Sequence, residues 1–158
     1  MPLEIERRFL VTRDIGHLCT TGQRIIQGYI PTRGDRTVRV RVVGPAAFLT
    51  IKGARLGIAR RETEWAIPVS VARDMLAHAC GPDRIEKIRY RVEHAGFDWD
   101  VDVFEGANAG LVIAEVELES PDQPVPLPDW VGREITDERR YGNSWLCRHP
   151  LNPAARAA

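Results

Sequence analysis

The sequence predicts a mainly β domain of the α+β class, built on an antiparallel sheet that either closes on itself or stacks as a sandwich. Three observations carry this expectation. Eight short segments with strand-like alternation recur at similar spacing, turn chemistry separates several of them, and only one segment has clear helical periodicity.

The strands are expected at about 2–11, 23–31, 36–43, 47–53, 58–68, 84–93, 97–104 and 111–119. In the first, Glu4, Glu6 and Arg8 point to one side while Ile5 and Phe9 point to the other, because successive side chains in a strand face opposite ways. The breaks fall at Thr32-Arg33-Gly34-Asp35, Gly44-Pro45, Arg55-Leu56-Gly57 and the glycine-rich stretch 106–110. A helix is expected over 71–80, with Ser70 as its N-cap, an apolar face at 71, 72, 75, 76 and 79, and Gly81-Pro82 as its stop. Prolines at 121, 124, 126 and 128 make a rigid irregular connection. A second helix is expected after Thr136, running to about Cys147. Residues 1–150 read as one domain without an internal boundary, and 151–158 as a disordered tail.

The chain has 158 residues, enough to bury a core without staples. Its 22 basic and 22 acidic residues cancel, so neither a nucleic acid nor a membrane surface is an expected partner. Cys19, Cys80 and Cys147 are odd in number and widely spaced, which fits a reducing cytoplasm better than a disulfide framework or a zinc site. The N-terminus lacks an apolar signal core, and no stretch is long enough to span a bilayer. Oligomeric state is not legible.

The polar parity of the strands collects Glu4, Glu6 and Arg8; Arg39 and Arg41; Thr50 and Lys52; Arg60, Glu62 and Glu64; Lys87 and Arg89; Asp100 and Asp102; Glu115 and Glu117. The opposite parity is apolar, from Ile5 and Phe9 through Val38, Val40 and Val42 to Val116 and Leu118. One reading is an amphipathic sheet packed on helices with its charged face in water. The other is a barrel turned inside out, with charges lining the lumen and the apolar face outside under helices. Three features favour the second. The polar face is almost wholly Arg, Lys, Asp and Glu; its carboxylates come four times as i, i+2 pairs; and both lysines of this arginine-rich chain, Lys52 and Lys87, lie on it. Charges inside a barrel are costly unless paired or ligated. Eight carboxylates against seven basic groups leave about one negative charge. Two divalent cations would shift this to about +3, near what a triphosphate of about −4 to −5 offsets.

These residues resemble the CYTH domain family, also called triphosphate tunnel metalloenzymes. The family signature ExExK is matched by Glu4-Ile5-Glu6-Arg7-Arg8, with arginine in the last place. Further matches follow in family order: Gln27-Gly28-Tyr29, Arg39-Val40-Arg41, Thr50-Ile51-Lys52, Arg60-Arg61-Glu62-Thr63-Glu64, Lys87-Ile88-Arg89-Tyr90, Asp102-Val103-Phe104, Glu115-Val116-Glu117 and Arg139-Arg140-Tyr141-Gly142-Asn143. The resemblance implies a closed eight-stranded antiparallel barrel with a few covering helices, whose tunnel binds a triphosphate and Mg²⁺ or Mn²⁺, with two ions during turnover. The opening EIERxFL is similar to the small bacterial inorganic triphosphatases.

By that resemblance Glu4, Glu6, Asp102, Glu115 and Glu117 are the expected metal ligands, as hard oxygen donors. Glu62 and Glu64 stand nearby to position water. Each carboxylate has a simpler alternative, a salt bridge to a tunnel arginine, and for Asp100 that alternative is preferred. Arg8, Arg39, Arg41, Lys52, Arg60, Lys87, Arg89 and Arg139 are expected to hold phosphate oxygens, arginine as a fork and lysine as a point charge. Glu6, Glu117, Lys52 and Glu64 form the expected catalytic set. Arg139 replaces a family lysine in the C-terminal helix that plugs one tunnel mouth. Tyr29 is expected to pack, with a hydrogen bond to a tunnel lysine as its alternative role. The two retained lysines suggest that Arg8→Lys is tolerated and that Lys52→Arg and Lys87→Arg are not.

The implied activity is metal-assisted hydrolysis of the terminal phosphate of a small-molecule triphosphate, with inorganic triphosphate first. One ion would bridge phosphate oxygens and another would acidify the attacking water. The alternatives are a thiamine triphosphatase, a class IV-like adenylyl cyclase, and a non-catalytic polyphosphate-binding module.

Overall fold

The computed structural model describes residues 2–157. Eight antiparallel strands are present: β1 (Leu3–Leu10), β2 (Gly22–Ile30), β3 (Thr37–Val43), β4 (Ala46–Leu56), β5 (Ala59–Ala66), β6 (Ile85–His94), β7 (Phe97–Phe104) and β8 (Val112–Glu117). They close into a barrel in the order β1-β5-β4-β3-β2-β6-β7-β8. The closed barrel excludes both the sandwich and the open amphipathic sheet.

Closure is uneven along β1. Its C-terminal part pairs with β8 from Glu6 to Leu10, whereas only Leu3, Ile5 and the intervening Glu4 meet β5. The rest of that edge is covered by the chain at 132–136: the Leu10 N–H donates to the Arg133 carbonyl at 2.9 Å, the Ile135 N–H to the Arg8 carbonyl at 2.8 Å, and the Arg8 N–H to Thr136 Oγ1 at 3.0 Å. An unpaired edge at the seam is thereby avoided.

The apolar parity lies outside the barrel, as the inside-out reading requires, but helices cover only part of it. Helix α1 (Val69–His78) lays Ala72 and Leu76 on Val40, Val42 and Ala47. Gly28 permits this approach, since a Cβ there would come within 2.9 Å of Leu76 Cδ2 and 3.3 Å of Cys80 Cβ. The other outer cluster, around Ile5, Phe9, Trp99, Val101 and Val116, is roofed by irregular chain carrying Val11, Ile15, Leu118 and Trp130.

Helix α1 begins before the expected position. Its N-cap is Pro68, the Ala72 N–H reaches the Pro68 carbonyl at 3.0 Å, and Ser70 lies inside the helix and caps nothing. The helix expected from Thr136 is broken. Arg8 recruits the Thr136 hydroxyl, Arg139–Tyr141 form one 3-10 turn, and Gly142 is extended at φ −66°, ψ 141° before α2 (Asn143–Arg148). Six residues are too few for an independent helix. Burial of Leu146 and Cys147 holds α2 against Ile85, Phe104 and Ile113 at one end of the lumen, a leucine contributing about 1.5–3 kcal/mol. After Pro150, where disorder is expected, Pro153–Ala157 form a 3-10 helix, with the Leu151 N–H on Asn108 Oδ1 and the Asn152 N–H on the Ala107 carbonyl. Ala158, also within the expected tail, lies outside the described residues. Among the described residues no helix is long and apolar enough to cross a membrane, and Cys19, Cys80 and Cys147 form no disulfide with one another.

Candidate functional site

Register, rather than chain proximity, builds the lumen. Glu6 faces Glu117 and Arg8 faces Glu115 across β1–β8; Arg39 faces Thr50 across β3–β4; Thr50 faces Glu64 and Lys52 faces Glu62 across β4–β5; Arg89 faces Asp102 across β6–β7. The alternating charges of seven strands therefore converge inward.

They meet as three ionic groups. In the first, Lys52 Nζ lies 2.6 Å from Glu4 Oε2 and 3.0 Å from Glu62 Oε2. In the second, Glu64 accepts from Thr50 Oγ1 at 2.6 Å, from Arg39 at 3.4 Å and from Arg41 at 3.3 Å. In the third, Asp102 bridges Lys87 at 2.6 Å and Arg89 at 2.7 Å, and Glu115 lies 3.4 Å from Arg8 and 3.7 Å from Arg89. Asp100 pairs with Arg89 at 3.3 Å, in keeping with its preferred salt-bridge reading.

Burial decides how to read these pairs. Asp102 is 0% exposed and Lys87 is 1% exposed, so that ion pair is sealed inside the wall. Burial pulls the Lys87 ammonium down to about 8, against the attraction of Asp102, and the two cations hold the Asp102 carboxyl below its usual range despite its own burial. Lys87 also donates to Asn143 Oδ1 on the plug at 3.2 Å and lies over the Phe104 ring. Both Asp102 oxygens are thus held by Lys87 and Arg89.

Glu6 and Glu115 are close enough to interact. Burial, with Glu115 alongside, pushes the Glu6 carboxyl up to about 8; Glu115, in spite of burial, is held well down by Arg8 and Arg89. Glu117, opposite Glu6, is exposed at the strand end. Crowded carboxylates with hard oxygen donors fit a divalent cation. Among the described residues no three acidic, histidine or cysteine side chains already stand grouped for a metal, and several carboxylates are paired with the tunnel's own cations.

The remaining expectations divide. Arg60 donates to the Gly53 carbonyl at 2.6 Å and the Asp35 carbonyl at 2.5 Å, tying a strand to the β2–β3 loop. Arg139 stands at the mouth, exposed, 3.3 Å from Asp35. Tyr29 Oη accepts from Gln27 Nε2 at 2.9 Å and packs on the plug cluster; burial raises its hydroxyl to about 12, and packing is the role the structure shows. Two residues were missed. Thr50 stands on the polar parity and in the Thr50-Ile51-Lys52 motif without an assigned role, yet it anchors Glu64. Arg55, taken as a turn residue, lines both cavities of the tunnel. The larger has a volume of about 510 Å³ and runs from Glu6, Arg8 and Lys52 to Arg139 and Asn143; the smaller lies between Glu4, Lys52, Arg55 and Thr136.

A family model for the CYTH domain matches residues 2–144. The chain is 45% identical over 150 residues to an inorganic triphosphatase of Acetivibrio thermocellus, covering 95% of this chain and 96% of that protein. It is 38% identical over 148 residues to an inorganic triphosphatase of Nitrosomonas europaea, covering 90% and 95%. The crystal structure of an inorganic triphosphatase superposes with a TM-score of 0.64 at 36% identity, over 90% of this chain and 96% of that one. A putative adenylyl cyclase of Hippeastrum shares the fold at 15% identity and a TM-score of 0.53, over 75% and 80%. The ordered strand motifs, the closed barrel with its charged lumen and the match over 2–144 agree: this chain belongs to the CYTH domain family.

Proposed function

We propose that this chain hydrolyses inorganic triphosphate to pyrophosphate and phosphate inside the barrel. The observation that carries the reading is the lumen itself, where cations from β1, β3, β4 and β6 interleave with carboxylates in a chain 45% identical to a protein named inorganic triphosphatase. A neutral chain that concentrates both signs inside a barrel suits a small, highly charged anion bound together with cations.

Arg8, Arg39, Arg41 and Lys52 hold phosphate oxygens in this proposal, with Arg60 and Arg139 toward the mouth, while Arg89 stays clamped to Asp102 in the wall. Glu4, Glu6, Glu115 and Glu117 would hold Mg²⁺ or Mn²⁺. Lys87 and Asp102 stabilise the wall from behind. A bound divalent cation would screen phosphate charge and acidify water. Water oxygen bonds to the terminal phosphorus, the bridging P–O bond breaks, and pyrophosphate leaves. Arg39 and Arg41, released from Glu64 by the substrate, stabilise the charge that gathers on phosphate oxygens; Lys52 does the same from β4. Glu64, with Thr50 fixing one oxygen, positions water. Such chemistry needs placement and electrostatics and no covalent nucleophile. Three cysteines that form no disulfide with one another fit a reducing, cytoplasmic setting.

A second reading, cleavage of an organic triphosphate, is favoured by one feature: Tyr29, Ile30, Pro31 and Pro82 give the 510 Å³ cavity an apolar side. Phosphate release from tripolyphosphate, thiamine triphosphate and ATP, each with Mg²⁺, with Mn²⁺ and with EDTA, separates the readings. Tripolyphosphate is expected to be cleaved fastest and EDTA to abolish release. Equal turnover of ATP would overturn the choice of substrate, and cyclic AMP would overturn the reaction.

A further inference from the structure

Strand β4 does not keep its alternation to the end. Lys52 pairs with Glu62, but the next paired positions are Arg55 with Arg60 and Leu56 with Ala59, a register shift of one residue. Such a bulge inserts a residue in one strand and re-aims the side chains beyond it. Simple alternation from Lys52 would send Arg55 outward; the bulge returns it to the tunnel side, where it lines both cavities beside Lys52 and Arg60.

Its partners there are few. The strand-borne cations lining these cavities are Arg8, Arg39, Lys52, Arg55 and Arg60. Arg8, Arg39 and Lys52 each have a carboxylate within 4.0 Å. Among the described residues Arg55 and Arg60 have none. Arg60 is committed to two backbone carbonyls. Arg55 makes one long hydrogen bond, 3.3 Å to the Thr136 carbonyl, and its charge faces that of Arg60, which drops below its ordinary value through burial and then through Arg55. Glu4 stands opposite Arg60 across β1–β5 but is drawn to Lys52 at 2.6 Å, so two neighbouring guanidinium groups with no carboxylate in ion-pair contact form a place for an anion.

We propose that Arg55 is a further substrate-binding residue: on entry of an oligophosphate it exchanges the Thr136 carbonyl for phosphate oxygens at the Lys52–Arg60 end of the tunnel. This rests on the triphosphate reading above. Because Thr136 belongs to the segment that covers the β1 edge, the same exchange frees the β4–β5 hairpin from the C-terminal chain.

Calorimetric binding of inorganic tripolyphosphate in EDTA tests this without turnover. Wild type, Arg55→Gln, Arg55→Lys and the outward-facing control Arg61→Gln are compared, with thermal melts to confirm folding. Arg55→Gln is expected to weaken binding about tenfold and to flatten its salt dependence, with Arg55→Lys partly restoring both and Arg61→Gln unchanged. In the metal-loaded enzyme KM should rise by a similar factor with little change in kcat. Binding by Arg55→Gln within twofold of wild type overturns the proposal, as does an equal loss in Arg61→Gln. If wild type binds tripolyphosphate with this Arg55 dependence but releases no phosphate, the hydrolase reading fails and the Arg55 assignment stands. If wild type does not bind tripolyphosphate in EDTA, the Arg55 assignment fails, and phosphate release with Mg²⁺ or Mn²⁺ alone decides the hydrolase reading.

Discussion

Two walls of the barrel are written in the same way and behave differently. On β6, Lys87 and Arg89 stand two apart and are clamped by one carboxylate, Asp102; on β3, Arg39 and Arg41 stand two apart and are clamped by Glu64. The first clamp closes at 2.6 and 2.7 Å around a carboxylate with no exposure. The second closes at 3.4 and 3.3 Å around one whose side chain is 29% exposed. A sealed clamp cannot be exchanged for a ligand without leaving a buried charge unpaired, whereas a solvated clamp can open at little cost. The same i, i+2 pattern of cations thus gives a sealed wall on one side and, on the other, a wall whose clamp is open to solvent.

The largest effect should come from the sealed clamp. Asp102→Asn leaves Lys87 and most of Arg89's pairing uncompensated and should cost about 3–5 kcal/mol in stability, measured by urea denaturation. Glu64→Gln should cost less than about 1 kcal/mol on the same scale. Similar losses from the two would erase the distinction between the walls.

Activity should reverse that order among variants that remain folded. Lys52→Gln removes a compact cation from the lumen while leaving the sealed clamp intact, and should lower phosphate release about 100-fold with a small shift in melting temperature. A comparable loss of stability would place Lys52 with the structural wall.

Arg8 belongs to both regions, and the structure changes what its substitution should do. The sequence suggests that Arg8→Lys is harmless, since lysine is the family residue at that place. Arg8, however, is 3% exposed and reaches three partners: Glu115 at 3.4 Å, Glu6 at 3.9 Å and the Tyr141 carbonyl at 3.0 Å. A lysine offers one nitrogen where the guanidinium spans the gap between β8 and the segment before the plug. The expected cost is about 1–2 kcal/mol, read from urea denaturation, with faster hydrogen exchange in 139–148. An unchanged exchange profile would show that the plug does not depend on this contact. The retained lysines also part company: Lys52 is open to the cavity, while Lys87 fits between Asp102, Asn143 and Phe104, so Lys87→Arg should fail through packing.

The parity of the strands was legible because alternation is local: every residue expected on the charged face, from Glu4 to Glu117, lies on a strand whose register turns it inward. The pairing of charges was not legible. Which carboxylate meets which cation depends on the neighbours created by closure, such as β1 beside β5 and β2 beside β6, and no local pattern encodes those. Arg55 was missed for a related reason, since a bulge flips parity and leaves no mark in composition. Thr136 was misread because its hydroxyl serves a residue 128 positions earlier instead of capping the helix that follows.

The smallest test concerns the turn behind the sealed wall. The β6–β7 hairpin turns at Ala95 and Gly96, with φ of 52° and 83°, the signature of a two-residue turn that needs both central residues left-handed. Glycine adopts this conformation freely; alanine does so against its Cβ, while asparagine is tolerated there. Ala95→Asn should therefore stabilise the fold by about 0.5–1 kcal/mol, seen as a rise in melting temperature. Because the hairpin supports Arg89 and Asp102 but reaches neither cavity, phosphate release and tripolyphosphate binding should stay at wild-type values. A gain in stability accompanied by altered activity would mean that the two walls move together, and the sealed clamp would then have to be counted as part of the site.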